Sequence, residues 1–146
     1  MARIPRPTEA ELEILRTLWA NGPSTVRQVN DRLSASRDIG YTTTLKLMQI
    51  MAEKGLVTRD ESDRSHVYAA RASQDQTQRQ LVSDLMDRAF GGSAAALVLQ
   101  ALSAHPASPE ELEEIQRLIK DYRADYAADT KRGGKAARKK AGEHHG

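Results

Sequence analysis

Three observations predict a mainly α fold with a small β-hairpin, divided into two parts and a tail. Up to Lys54 the apolar residues recur at helical spacing in three short segments. Between Leu56 and Ala70 the pattern changes to that of two short strands around a turn. From Ser73 onward it returns to helix. The expected layout is a helical domain with the hairpin over 1–72, a second helical domain over 73–128, and a basic disordered tail over 129–146.

Each element has its own start and stop signals. Thr8 and Glu11 form a capping box behind Pro7, and Leu12, Leu15, Leu18 and Trp19 make one stripe with Ile14 beside it. Trp19, at helical spacing with Leu15 and Leu18, reads as core. Asn21-Gly22-Pro23 ends that helix. Ser24 or Thr25 caps the next, where Val26, Val29 and Leu33 repeat at three and four, and Ser34 to Gly40 is a polar connector carrying Arg37. The third helix, Tyr41 to Lys54, turns Thr44, Leu47, Met48 and Met51 to one side and Thr42, Lys46, Gln49 and Glu53 to the other. Thr42 or Thr43 can cap its start, and Gly55 is a natural stop. Two strands, 56–60 and 66–70, then flank the turn-rich Glu61 to Ser65. Three short helices followed by a hairpin is the winged helix-turn-helix arrangement.

The second part reads as helix throughout. Ser73 and Gln76 can form a capping box ahead of a helix with Leu81, Val82, Leu85, Met86, Ala89 and Phe90 along one side. Gly91-Gly92 breaks it, a small-residue helix follows from Ala94 to Leu102, and Ser108-Pro109-Glu110-Glu111 opens a last one. There Leu112, Ile115, Ile119, Tyr122 and Tyr126 step by three and four, a narrow seam of the coiled-coil kind. Helices of this length bury little apolar area alone, so a homodimer is expected, with Leu81, Leu85, Leu97, Leu112, Ile115, Ile119 and Tyr122 in its interface. Packing of this part back onto the first domain is the competing arrangement.

Composition narrows the function. The 146 residues carry a net charge of +2, but residues 131–146 hold six Lys/Arg against one Asp/Glu, leaving 16 basic and 19 acidic side chains before them. The pI near 9.0 is therefore a property of the tail, and the case for nucleic acid has to rest on pattern. There is no cysteine, so disulfides and thiolate-bound metals are excluded. His66 and His105 lack partners at metal-ligand spacing, and no glycine-rich phosphate loop or catalytic constellation stands out. No metal, no cofactor and no enzyme activity are expected. The longest apolar run, Ala94–Leu99, is too short to span a bilayer, and a soluble cytoplasmic protein without membrane insertion is expected.

The outer face of the third helix, with small hydroxyls and one cation, suits entry into a DNA major groove. Tyr41, Thr42, Thr43, Lys46 and Gln49 are the candidates for contact there. Arg59 and Arg64, flanking the hairpin turn, are placed to meet phosphates, as are Arg37 ahead of the third helix and Gln28 near the start of the second. Gln28 serves equally as a capping-box residue.

The order of elements, TVRQV in the second helix, YTT opening the third, EKGLV at its end and a charged hairpin ending in VY resemble the penicillinase repressor family. The likeness runs through FGGS and LVLQAL to SPEELEEI, over residues 5–122. The BlaI, MecI and CopY-type regulators belong to that family. The resemblance implies a homodimeric repressor that binds a dyad-symmetric double-stranded operator, with YTT beginning the recognition helix and Arg59 to Arg64 on the wing. It implies as a further partner a membrane sensor-protease system that relieves repression. In staphylococcal members that system leads to a cut at an Asn-Phe step; the matching step here, Gln100-Ala101, departs from that pattern, so a different cut, near Gly91-Gly92, or another release mechanism is expected. The alternative is a winged-helix protein-interaction module without sequence-specific DNA binding.

Overall fold

The computed structural model describes residues 4–144, with side chains described over 4–132. The chain forms two compact units, Met1–Ser93 and Ala94–Gly146.

Thr8 ends the extended N-terminal segment and begins α1 (Glu9–Asn21). Its hydroxyl accepts the Glu11 N–H at 3.2 Å, and the Glu11 carboxylate accepts the Thr8 N–H at 2.8 Å. Ile14, Leu15 and Leu18 are the buried apolar residues of α1. The sequence stripe sets Ile14 beside the core, yet it is fully buried while Leu12 and Trp19 are half-buried. The helix is covered from several directions, by α2, α3 and the sheet, which shifts its buried face. Trp19 keeps its indole edge at the rim, where Nε1 donates to the Ala72 carbonyl at 3.0 Å.

Ser24–Thr25 is a two-residue strand, β1, followed at once by α2 (Val26–Ser34). Thr25 caps α2 through a box with Gln28. After the connector, α3 (Tyr41–Lys54) packs Thr44, Met48 and Met51 into the core, with Leu47 half-buried. Burying each methionine side chain stabilises by about 1.5–3 kcal/mol. Its N-cap is Gly40, and neither Thr42 nor Thr43 supplies a capping bond. The cap position falls one residue before the first helical one, and both threonines already lie inside the helix.

At the other end Gly55 adopts φ 85°, and its N–H and that of Leu56 bond back to Ala52 and Met51. A Cβ at Gly55 would meet Arg71 Nη1 at 3.1 Å as well as the strain of a left-handed backbone. The turn releases the chain into β2 (Val57–Asp60), antiparallel to β3 (Val67–Ala70). The expected hairpin is present, but the sheet has three strands in the order β1-β3-β2, with Ser24 opposite Tyr68 and Thr25 opposite Val67.

The helix α4 (Gln74–Ala89) opens on the expected Ser73–Gln76 box and falls in the first unit, touching α1. Thr77 is buried beside a cavity of about 120 Å³ lined by Ile4, Leu15, Leu56 and Ala72. Of its apolar side, Leu81, Met86 and Phe90 are half-buried, and Val82 and Leu85 are exposed.

The second unit consists of α5 (Ala94–Ala104) and α6 (Pro109–His144). Ser108 caps α6, accepting the Glu111 N–H at 3.1 Å. Leu97 and Ile115 are half-buried, whereas Val98, Leu99, Leu112, Leu118, Ile119, Tyr122 and Tyr126 are exposed. The rings of Tyr122 and Tyr126 stack with centroids 6.3 Å apart. Over the basic tail expected from 129, the backbone continues α6 to His144. The last two residues of that tail lie outside the described ones. No described helix is long and apolar enough to cross a membrane.

Candidate nucleic-acid interface

The placement of α3 is fixed at both ends by polar bonds to its neighbours. At its start, Thr44 is fully buried, and its hydroxyl donates to the Gly40 carbonyl at 3.2 Å. Asn30 of α2 stands 2.8 Å from the same hydroxyl. With its amide nitrogen facing the oxygens, Asn30 also donates to Gly40 and Ile39 carbonyls, each at 3.2 Å. Ser34 adds a bond to the Ile39 carbonyl at 3.3 Å. The connector is thereby tied to α2 just where α3 begins.

At the far end, Lys54 Nζ lies 2.9 Å from both carboxylate oxygens of Glu11. Glu11 is 1% exposed. Burial pushes its carboxyl up, but the Thr8 backbone bond and then Lys54 outweigh this and hold its pKa below the ordinary value. A cation in the last turn of α3 also faces the negative end of the helix dipole favourably. Glu11 thus caps α1 and anchors α3 at once.

Held this way, α3 presents Tyr41, Thr42, Thr43, Lys46, Gln49 and Glu53 to the outside. Lys46 has no ion pair among the described residues. Beside this face runs an open groove of about 380 Å³, bounded by the start of α2, α3 and the hairpin. Arg27, Tyr41, Gln49, Arg59, Arg64 and His66 are among the residues lining it. Arg59 is held protonated chiefly by the Tyr68 hydroxyl and then by Glu61, whose carboxylate is 2.7 Å away. Ser62 bonds to Asp60 through both its backbone N–H and its hydroxyl, lowering the Asp60 pKa and stiffening the acidic turn.

The structure brings Tyr41, Gln49, Arg59 and Arg64 together on one groove, with Thr42, Thr43 and Lys46 on the same exposed helix. Gln28 and Arg37 are engaged elsewhere. The Gln28 carboxamide oxygen accepts the Thr25 N–H at 2.8 Å, its capping role. Arg37 forms an ion pair with Glu13 of α1 and lines a separate concavity with Arg16 and Arg32. The residue that sequence reasoning passed over is Arg27. Its guanidinium lies over the Tyr41 ring, 5.1 Å from the centroid. The signal available was a cation in the first turn of α2 with no acidic residue in that turn.

Residues 7–121 match the model of the penicillinase repressor family. The chain is 39% identical over 101 residues to the transcriptional regulator BlaI of Mycobacterium tuberculosis, covering 67% of this chain and 73% of that protein. It is 21% identical over 123 residues to the penicillinase repressor of Bacillus licheniformis, covering 84% and 96% respectively. Among solved structures, the monomeric form of Bacillus licheniformis BlaI in complex with the blaP half-operator aligns with a TM-score of 0.46 and 22% identity. That alignment covers 52% of this chain and 93% of the other.

Proposed function

This chain belongs to the penicillinase repressor family, whose members are transcriptional repressors and not enzymes, and from that premise we propose how it acts. It is a dimeric, sequence-specific repressor that reads a dyad-symmetric operator with α3. The observation that carries this reading is the outer face of α3: small hydroxyls, Lys46 and Gln49 on a helix fixed at both ends. Lysine donates to guanine O6 and N7, glutamine pairs with adenine N6 and N7, and a threonine methyl fits a thymine methyl. Arg59 and Arg64 supply bonds to phosphates, which fix register without choosing sequence.

The dimer is supported by apolar side chains left uncovered in one chain. Ile119 is 53% exposed and Tyr122 69%, on the seam that Leu112 and Ile115 begin. Leu85 on α4 in the first unit and Leu99 on α5 in the second are exposed as well. A two-fold partner would cover these positions and set two reading helices on one duplex. The same reading places the protein in the cytoplasm with its operator.

The decisive experiment is titration of wild type and Lys46→Ala against a palindromic duplex from the protein's own promoter region and a scrambled duplex, at one salt concentration. Removing a base-reading side chain should weaken operator binding by about 1–3 kcal/mol per half-site, with little change on scrambled DNA. The melting temperature should hold, because Lys46 is exposed. Equal losses on both duplexes would reassign Lys46 to the phosphates. Equal weak binding of wild type to both would identify a protein-interaction module instead.

A further inference from the structure

We infer that Arg27 is a phosphate-binding residue whose guanidinium is positioned by the Tyr41 ring, so that the pair links the start of α2 to the DNA backbone as α3 enters the groove. The inference rests on the reading of α3 as the DNA-reading helix and assigns a role that this reading does not require.

Intramolecular electrostatics do not account for Arg27. It is the second residue of α2, where a cation opposes the positive end of the helix dipole. No acidic residue occupies that turn, and Arg27 enters no ion pair among the described residues. The partner the structure gives it is a ring, with the guanidinium carbon 5.1 Å from the Tyr41 centroid. Tyr41 is itself 41% exposed and is the first residue of α3, so the stacking ties the beginnings of two helices together on the outer surface.

What the pair faces identifies the ligand chemistry. Arg27 from α2, Arg59 from β2 and Arg64 from the turn line one groove. Arg59 is engaged by Glu61, but among the described residues Arg27 has no carboxylate to leave. The guanidinium keeps its N–H donors free of carboxylates among the described residues, and that planar fork matches two oxygens of a phosphodiester. Contact with the ring also limits the rotamers Arg27 must give up on binding. A lysine would keep the charge and lose both the fork and the stacking.

The test uses the full-length protein, with operator and scrambled duplexes titrated across a salt series. Arg27→Ala should weaken both duplexes about tenfold, since hydrogen bonds to charged groups disappear irrespective of sequence. It should also flatten the slope of log K against log salt by about 0.9 for each phosphate no longer neutralised. Arg27→Lys should restore the slope but not the full affinity. Tyr41→Leu should weaken both duplexes with the slope kept. All three should melt near wild type, as the two residues are exposed. If Lys46→Ala shows its operator-specific loss while Arg27→Ala changes neither affinity nor slope, the DNA reading stands and this inference is overturned. Tyr41→Leu equal to wild type would overturn the positioning role of the ring. A wild type that does not distinguish operator from scrambled DNA would remove both readings together.

Discussion

Replacing Lys54 with methionine should loosen α3 without touching its outer face. The substitution keeps most of the aliphatic stem and removes the ammonium that stands 2.9 Å from each Glu11 oxygen. The Glu11 side chain is 2% exposed and would retain the Thr8 N–H at 2.8 Å. Breaking a fully buried ion pair from one side costs about 3–5 kcal/mol. Lys54 is itself 39% exposed, so water reaches the vacated position and the expected loss is about 1–3 kcal/mol. Urea denaturation at pH 7 measures it. Glu11→Gln keeps an N3 residue that can complete the capping box, and in that background Lys54→Met should cost much less. The acid limb provides a second readout. Folding lowers the Glu11 pKa, so its stabilising contribution is complete above the ordinary carboxyl value of 4.5 and is lost as pH falls through the lowered folded value. Lys54→Met should therefore shift acid unfolding to higher pH. A loss below about 0.5 kcal/mol, or one that persists undiminished in Glu11→Gln, would refute the anchoring role.

Ile115→Asp combined with Ile119→Asp should yield monomers in sedimentation and abolish operator binding together, and a double mutant that stays dimeric would place the interface elsewhere. Truncation after Thr130 should flatten the salt dependence of DNA binding, by about 0.9 in slope for each phosphate the basic segment neutralises, while keeping the preference for operator; an unchanged slope would make that segment merely solubilising. Thr44→Val keeps the shape of a fully buried side chain but deprives Asn30 and the Gly40 carbonyl of their partner, so it should destabilise by about 1–3 kcal/mol in denaturant titration. No loss on that substitution would mean that the connector is not held by this cluster.

The fold was legible wherever a local signal coincided with a tertiary need. The boxes at Thr8, Thr25 and Ser73 mark true helix starts because each polar side chain answers an orphan N–H within its own turn. Gly55 marks a true stop because only the left-handed turn releases the chain into β2. β1 was not legible, since two residues carry no period and their pairing partner is distant in sequence. The burial of Ile14 over Leu12 depends on which elements cover α1, and a helical wheel has no knowledge of these. Of the candidate interface, the outer face of α3 follows from its spacing, but the fates of Gln28, Arg37 and Arg27 do not. Each is decided by a partner at hand in space: Thr25 one turn away, Glu13 on another helix, and the Tyr41 ring across the connector.

The pairing of β1 with β3 has a consequence for the order in which the protein folds. Helices α1, α2 and α3 follow one another along the chain and meet through short connections, and such local contacts form early. Ser24 cannot find Tyr68 until α2, α3 and β2 have been laid down between them, so closing this sheet carries the loop-closure entropy of the unit. Thr25 belongs to that strand and also caps α2, so the late-closing sheet meets a helix start that its own box with Gln28 has already set. Mutations at Ser24 and Tyr68 should then speed unfolding more than they slow folding, with φ-values near zero, while Ile14 and Met48 report on the nucleus. An intermediate with its three helices packed and its sheet open would keep only the helical part of the core, without Val57 and Tyr68, and lack the assembled groove.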